Sequence, residues 1–249
     1  MITNSDKILL EKKGISEEEL LVQLNYFKRG FPYLKLAAAA STEKGIMQVS
    51  PEKEDFYLDA WDEYRTLDRK ITKFVPASGA ASRMFKDLFE FLGASYNEPT
   101  TDFEKAFFEG LSKFAFYEDL NATCLKNEGQ GIENLLSKGN YKAIVANLLQ
   151  PLGLNYGNLP KGLLKFHRYD GHSRTPVEEH LKEGDLYAKD SKNEINIHFT
   201  VSPEHRPLFE ELINKKLPQA EKDAEAKYNI SFSEQKPSTD TIAADADNN

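Results

Sequence analysis

The sequence predicts an α/β protein built on a parallel, doubly wound sheet of about three strands. Three observations carry this. Residues 71–77 form an apolar, β-type run that passes through Ser78-Gly-Ala-Ala-Ser82 into a helical pattern carrying Met84, Phe85, Leu88, Phe89 and Leu92. Residues 194–201 alternate apolar and polar side chains with period two, and residues 229–233 supply a third strand of the same kind. Helical patterns lie between these strands, and helices alternating with short apolar strands argue for parallel, right-handed connections. Three strands amount to one half of such a fold, so the sheet reads as incomplete.

The other elements follow in order. Residues 1–70 read as a helical region. Ser16-Glu-Glu-Glu19 has the spacing of a capping box ahead of Leu20, Leu21, Leu24 and Phe27, and Gly30 and Pro32 stop that helix. Residues 34–41 are an alanine-rich connector. Ser50-Pro51 places a capping residue before proline at the first helical position, opening a helix through Phe56, Ala60, Trp61 and Tyr64. After the strand and helix of residues 71–88, residues 89–158 read as a helical insertion, with a capping box at Thr101-Asp-Phe-Glu104. Residues 159–249 then return to α/β character. In that part residues 159–166 look short-stranded, residues 167–174 look like a polar loop, and Thr175-Pro176 with Glu178 starts a helix. Ser202-Pro203 is read as the cap of the next helix, which carries Leu208, Phe209, Leu212 and Ile213. The region is polar from Glu234 on, ending in the tail charges Asp240, Asp245 and Asp247.

Composition narrows the function. A net charge of −8, a pI near 5.3 and the lack of any basic run argue against nucleic-acid binding. A single cysteine, Cys124, excludes an internal disulfide framework and a cysteine metal site. The polar start Thr3-Asn-Ser-Asp-Lys7 and the lack of a long apolar run point away from the membrane and to the cytoplasm.

The chemistry concentrates at Ser78, Gly79, Ala80, Ala81, Ser82 and Arg83. A strand that enters a helix through residues with little or no side chain lets backbone N–H groups face an anion. Arg83, expected in the first helical turn, is a cation where the helix macrodipole disfavours one, which argues for a negative partner. His167, His172 and His180 cluster in sequence with Asp170, Glu178 and Glu179, but their spacing matches no standard metal motif. His198 is expected on a strand face and His205 on the surface of a first helical turn.

Pro76-Ala-Ser-Gly-Ala-Ala-Ser-Arg-Met84 resembles the signature loop of nucleotide-sugar pyrophosphorylases, in which a small, glycine-rich turn precedes Arg-Met or Arg-Leu and a Pro-Lys-x-Leu element follows. Here Leu-Pro-Lys-Gly-Leu163 looks like that second element, separated from the loop by the insertion. Phe232-Ser-Glu-Gln-Lys-Pro237 is similar to a segment of the uridylyltransferase branch that contributes to nucleotide and sugar binding. Nearly the whole chain also resembles the N-terminal part of a bacterial family known as domain of unknown function 4301.

The pyrophosphorylase resemblance implies a Rossmann-like, nucleotide-diphospho-sugar transferase-like core, incomplete because the chain ends before the later strands. It implies nucleotidyl transfer from a nucleoside triphosphate to a sugar 1-phosphate, with Mg²⁺ bridging the phosphates. It also implies roles: loop N–H groups at Gly79 to Ser82 on phosphate oxygens, Arg83 on the leaving pyrophosphate, Lys161 on the α-phosphate and Gln235 on base or sugar, with no carboxylate nominated for the metal. Ala81 stands where the family loop usually has a second glycine. The alternatives are a non-catalytic nucleotide- or sugar-phosphate-binding regulator, and a helical interaction module. An incomplete sheet would also leave the strand at Phe74-Val75 on an open edge, from which self-association is expected.

Overall fold

The computed structural model describes residues 2–243, so Asp245 and Asp247 lie outside the described residues. The chain forms two compact units, one of residues 1–64 with 235–249, the other of residues 65–234.

The first unit holds α1 (Asn4–Lys13), α2 (Glu17–Arg29) and most of α3 (Pro51–Thr66). Thr3 and Asp6 cap α1 reciprocally, and Gly14 ends it in the left-handed region at φ 72°. The Ser16 hydroxyl accepts from Glu19 N–H at 3.0 Å and caps α2. Ile242 N–H donates to Gln23 Oε1 at 2.8 Å, tying the later segment of this unit to α2.

The second unit carries the strands. Its mixed α/β core is a three-stranded parallel sheet in the order β1 (Thr72–Pro76), β4 (Glu194–Val201), β5 (Lys227–Glu234). Between β1 and β4 come α4 (Lys86–Gly93), α5 (Asp102–Glu109), α6 (Tyr117–Glu128), α7 (Ile132–Ser137) and α8 (Tyr141–Leu149). They are followed by an antiparallel pair, β2 (His167–Tyr169) and β3 (His172–Arg174), and by α9 (Pro176–Tyr187). The last helix, α10 (Arg206–Ala224), joins β4 to β5.

Two apolar cores result. Helices α4 to α8 bury Leu88, Phe91, Leu120, Ile144 and Leu148 among themselves. Val75, Ile195, Ile197, Phe199 and Val201 line one sheet face and pack on Val177 and Leu181 of α9 and Phe209 and Ile213 of α10. Gly184 lets α9 approach the sheet, since a Cβ there would stand 2.8 Å from Ile195 Cγ2.

Several expectations are corrected. A doubly wound sheet buries both faces. Here both flanking helices join one face, and the register puts Thr72, Asn196, His198, Thr200, Asn229, Ser231 and Ser233 together on the other, polar face. The edge position expected for β1 holds, with β4 at the centre of the sheet. Residues 167–174 form a hairpin around Asp170-Gly171, with Gly171 at φ 76°, and the stretch before it holds a 3₁₀ turn at Lys161–Leu163 instead of a strand. Helix α4 starts at Lys86 with Phe85 as its N-cap, so Arg83 precedes the helix and is not in its first turn. Likewise α10 begins at Arg206 with His205 as N-cap, later than Ser202-Pro203 implied.

The open edge of β1 is blunted by its own sequence. Ala77 N–H donates to Thr200 O at 2.7 Å, so by the alternation of a parallel strand Lys73 and Val75 also face β4. Thr72, Phe74 and Pro76 point their main-chain groups outward, and Pro76 has no N–H to offer.

Among the buried polar groups, Glu104 is 3% exposed. Burial by itself pushes its carboxyl up, but Thr100 N–H, Thr101 N–H, the Tyr96 hydroxyl and the Thr100 hydroxyl together hold it below its ordinary 4.5. A carboxyl depressed in the folded state stabilises above its unfolded value and loses that contribution as pH falls through the folded one. Below pH 4.5 the wild-type melting temperature is therefore expected to fall more steeply than that of Glu104→Gln, which titrates all other carboxylates in common. Parallel pH curves for the two proteins would contradict the assignment. Cys124 is an inert core thiol, pushed up to about 11 first by burial and then by Glu128.

Candidate functional site

In an open α/β sheet, ligands bind beyond the carboxyl ends of the strands, where loops from different strands meet. In this protein the ends of β1 and β4 present residues 77–83 and 202–205, and a third segment, residues 158–161, joins them.

The small-residue turn leaves β1 with Ser78 half-buried and Gly79, Ala80, Ser82 and Arg83 exposed. Ala81 is 1% exposed and belongs to the helical core, which fixes the turn at its far end. Gly79 does not have a positive φ, and a Cβ added there would meet open space. Its lack of a side chain therefore serves neither a left-handed turn nor internal packing; it leaves the peptide open to solvent.

Lys161, distant in sequence, comes back to this turn. Ala80 and Pro160 form an antiparallel bridge, and Lys161 N–H donates to Gly79 O at 3.0 Å. The next residue, Gly162, lies on the Phe209 ring, where a Cβ would stand 2.9 Å from Cε1 and Cζ. Lys161 and Arg83 are both exposed, and neither is in an ion pair with another described residue.

Other cations contrast with them. Lys73 bonds Glu183 Oε2 at 2.6 Å and the Tyr187 hydroxyl; burial alone would push it down, and these two partners hold it above its ordinary value. A cleft of about 530 Å³ between α9 and α10 is lined by charges that neutralise one another, Lys216 with Glu178 at 2.7 Å and Lys182 with Asp185 at 2.7 Å. The turn at residues 78–83 with Lys161 is thus a place where cationic side chains stand beside open backbone without a built-in counter-charge.

Gln235 belongs to the other compact unit, where its Nε2 donates to Asp240 Oδ1 at 3.3 Å. Among the described residues no three His, Cys, Asp or Glu side chains group as a metal site. Two histidines of the 167–180 stretch are separately engaged: His172 stacks on Tyr169, and His180 Nδ1 lies 2.9 Å from Glu183 Oε2. His198 hydrogen-bonds Ser231 and Ser233 on the polar sheet face, each at 2.9 Å.

Three residues at the rim were given no site role by the sequence: Asn158, Ser202 and His205. His205 Nδ1 is 2.7 Å from Ser202 Oγ and Nε2 is 3.2 Å from Asn158 O. Ser202 carried a signal, but as a helix cap; its partner turned out to be the imidazole.

A family model described as a domain of unknown function, DUF4301, matches residues 3–249. The chain belongs to the DUF4301 family. No curated protein and no solved structure matches it. The DUF4301 match covers both compact units and hence the whole rim just described. No described helix of this DUF4301 chain is long and apolar enough to cross a membrane.

Proposed function

We propose that this DUF4301 chain is a nucleotidyltransferase-like protein that binds the phosphates of a nucleoside triphosphate at residues 78–83 and 161. The observation that carries this reading is the backbone bridge from Lys161 to Gly79, which joins the two separated elements that resemble the pyrophosphorylase signature. Support also comes from the position of the bridge beyond the carboxyl ends of β1 and β4, and from the two exposed cations beside it. Because α4 begins only at Lys86, the positive charge at the turn is assigned to Arg83 and Lys161 and not to a helix terminus.

In the reaction, an ionised oxygen of a sugar 1-phosphate forms a bond to the α-phosphorus as the bond from that phosphorus to the β-bridging oxygen breaks. The electron pair leaves with pyrophosphate, and no proton has to be removed from the attacking group. Such a transfer needs positioning and charge neutralisation more than covalent help. Arg83 would hold the departing pyrophosphate, Lys161 the α-phosphate, and the peptide groups of Gly79 to Ser82 the remaining oxygens, with Ser78 and Ser82 hydroxyls at either end of the turn. Mg²⁺ would bind with the phosphates of the nucleotide, since the described residues form no cage for it.

Calorimetry of the full chain with uridine triphosphate and magnesium is the test. Weak binding is expected, stronger with magnesium than without, and Arg83→Ala should weaken it by about 1.5–3 kcal/mol through loss of a charged hydrogen bond. Release of pyrophosphate on adding a sugar 1-phosphate would establish transfer, whereas binding without release would leave a nucleotide-binding regulator. No binding at millimolar nucleotide would reject the reading.

A further inference from the structure

The rim holds its parts together by hydrogen bonds that form a circuit. Ala77 N–H fixes the end of β1 to Thr200 O at 2.7 Å, and Lys161 N–H returns to Gly79 O at 3.0 Å. The link between the end of β4 and the 158–161 segment is the His205 side chain, with Ser202 Oγ at 2.7 Å from Nδ1 and Asn158 O at 3.2 Å from Nε2. A carbonyl oxygen only accepts, so Nε2–H donates to Asn158 O, while Nδ1 and the Ser202 hydroxyl bond each other. Ser202 is buried, which fixes that hydroxyl and hence the ring.

We propose that His205 is a positioning residue, a latch that holds residues 158–161 against the 78–80 turn and so aims Lys161 at the anion that Arg83 also meets. Gly162 on Phe209 fixes the following turn by packing, and Gly157 N–H on Leu149 O at 3.1 Å holds the preceding chain to α8; the His205 bond to Asn158 O ties the residues between them to the end of β4. The anion-binding part of this inference rests on the phosphate reading above, and the mechanical part does not.

The test uses the full chain and two readouts, amide hydrogen exchange at Lys161 and calorimetry with sodium pyrophosphate. In folded His205→Ala the Lys161 amide should exchange about tenfold faster, the size of one lost hydrogen bond, and pyrophosphate should bind about threefold to tenfold more weakly. His205→Gln offers an N–H to Asn158 and an oxygen to Ser202, and should restore both within about twofold. Ser202→Ala frees the ring without removing it and should lie between, which keeps the test open if His205→Ala fails to fold. Unchanged Lys161 exchange in folded His205→Ala, or in folded Ser202→Ala, would overturn the latch. Faster exchange with no pyrophosphate binding by the wild type would uphold the latch and reject the phosphate reading instead.

Discussion

Gly153→Ala is expected to be among the most destabilising single substitutions in this chain, with a loss above about 4 kcal/mol in a urea melt of the full protein. A Cβ at position 153 would stand 2.0 Å from Asn147 O, 2.5 Å from its carbonyl carbon and 2.6 Å from its Cα. All three are backbone atoms of α8, so no side chain can swing aside. The segment cannot retreat cheaply either, because Leu154 N–H, Tyr156 N–H and Gly157 N–H donate to Asn147 O, Leu148 O and Leu149 O at 2.7, 3.0 and 3.1 Å. Asn147 is itself 4% exposed, and its amide is committed to Asn127, Glu128 and Ala143 O. Moving it breaks a satisfied buried network. Gly93→Ala is the control, for a Cβ there meets nothing within 4 Å, and its effect should stay within about 0.5 kcal/mol. Equal midpoints for the two variants would show that the turn after α8 relaxes and that the contact is not decisive.

Phe209→Ala should cost about 3–5 kcal/mol, the range for removing a fully buried aromatic side chain. Phe209 is 0% exposed, lies 6.3 Å from the Phe199 ring and supports the Gly162 backbone from below. Its removal opens a cavity under the turn that carries Lys161, between the sheet and α10. Denaturant unfolding followed by far-ultraviolet circular dichroism measures the loss. A cost below about 1 kcal/mol would mean that this core collapses to fill the space.

The site was legible in part. The turn at residues 78–83 stands out because five small residues in a row between a strand and a helical pattern are uncommon, and Pro160-Lys161 was visible as a short element of its own. That the two meet depends on helices α4 to α8 closing their own core and returning the chain to Gly79, which no local pattern encodes. The latch was illegible for the same reason. His205 and Asn158 are far apart in sequence, and an isolated histidine or asparagine carries no spacing to read.

The sequence by itself determined the local structure. Period-two alternation placed β4, the capping boxes at Thr101 and Thr175 started α5 and α9 where both reciprocal bonds are found, and the three strand segments were all identifiable. It also held the answer to one misjudgement: alternation in residues 194–201 belongs to a sheet buried on one face, whereas a doubly wound strand would be apolar on both. Only the tertiary structure decided that β4 is central, that α9 and α10 share a face, and that His205 joins Asn158 to the end of β4. Capping and periodicity act over a few residues and are written in neighbouring side chains. Strand order and rim geometry follow from which apolar faces bury one another across the whole unit, where contacts far apart in sequence compete and the best-packed set wins.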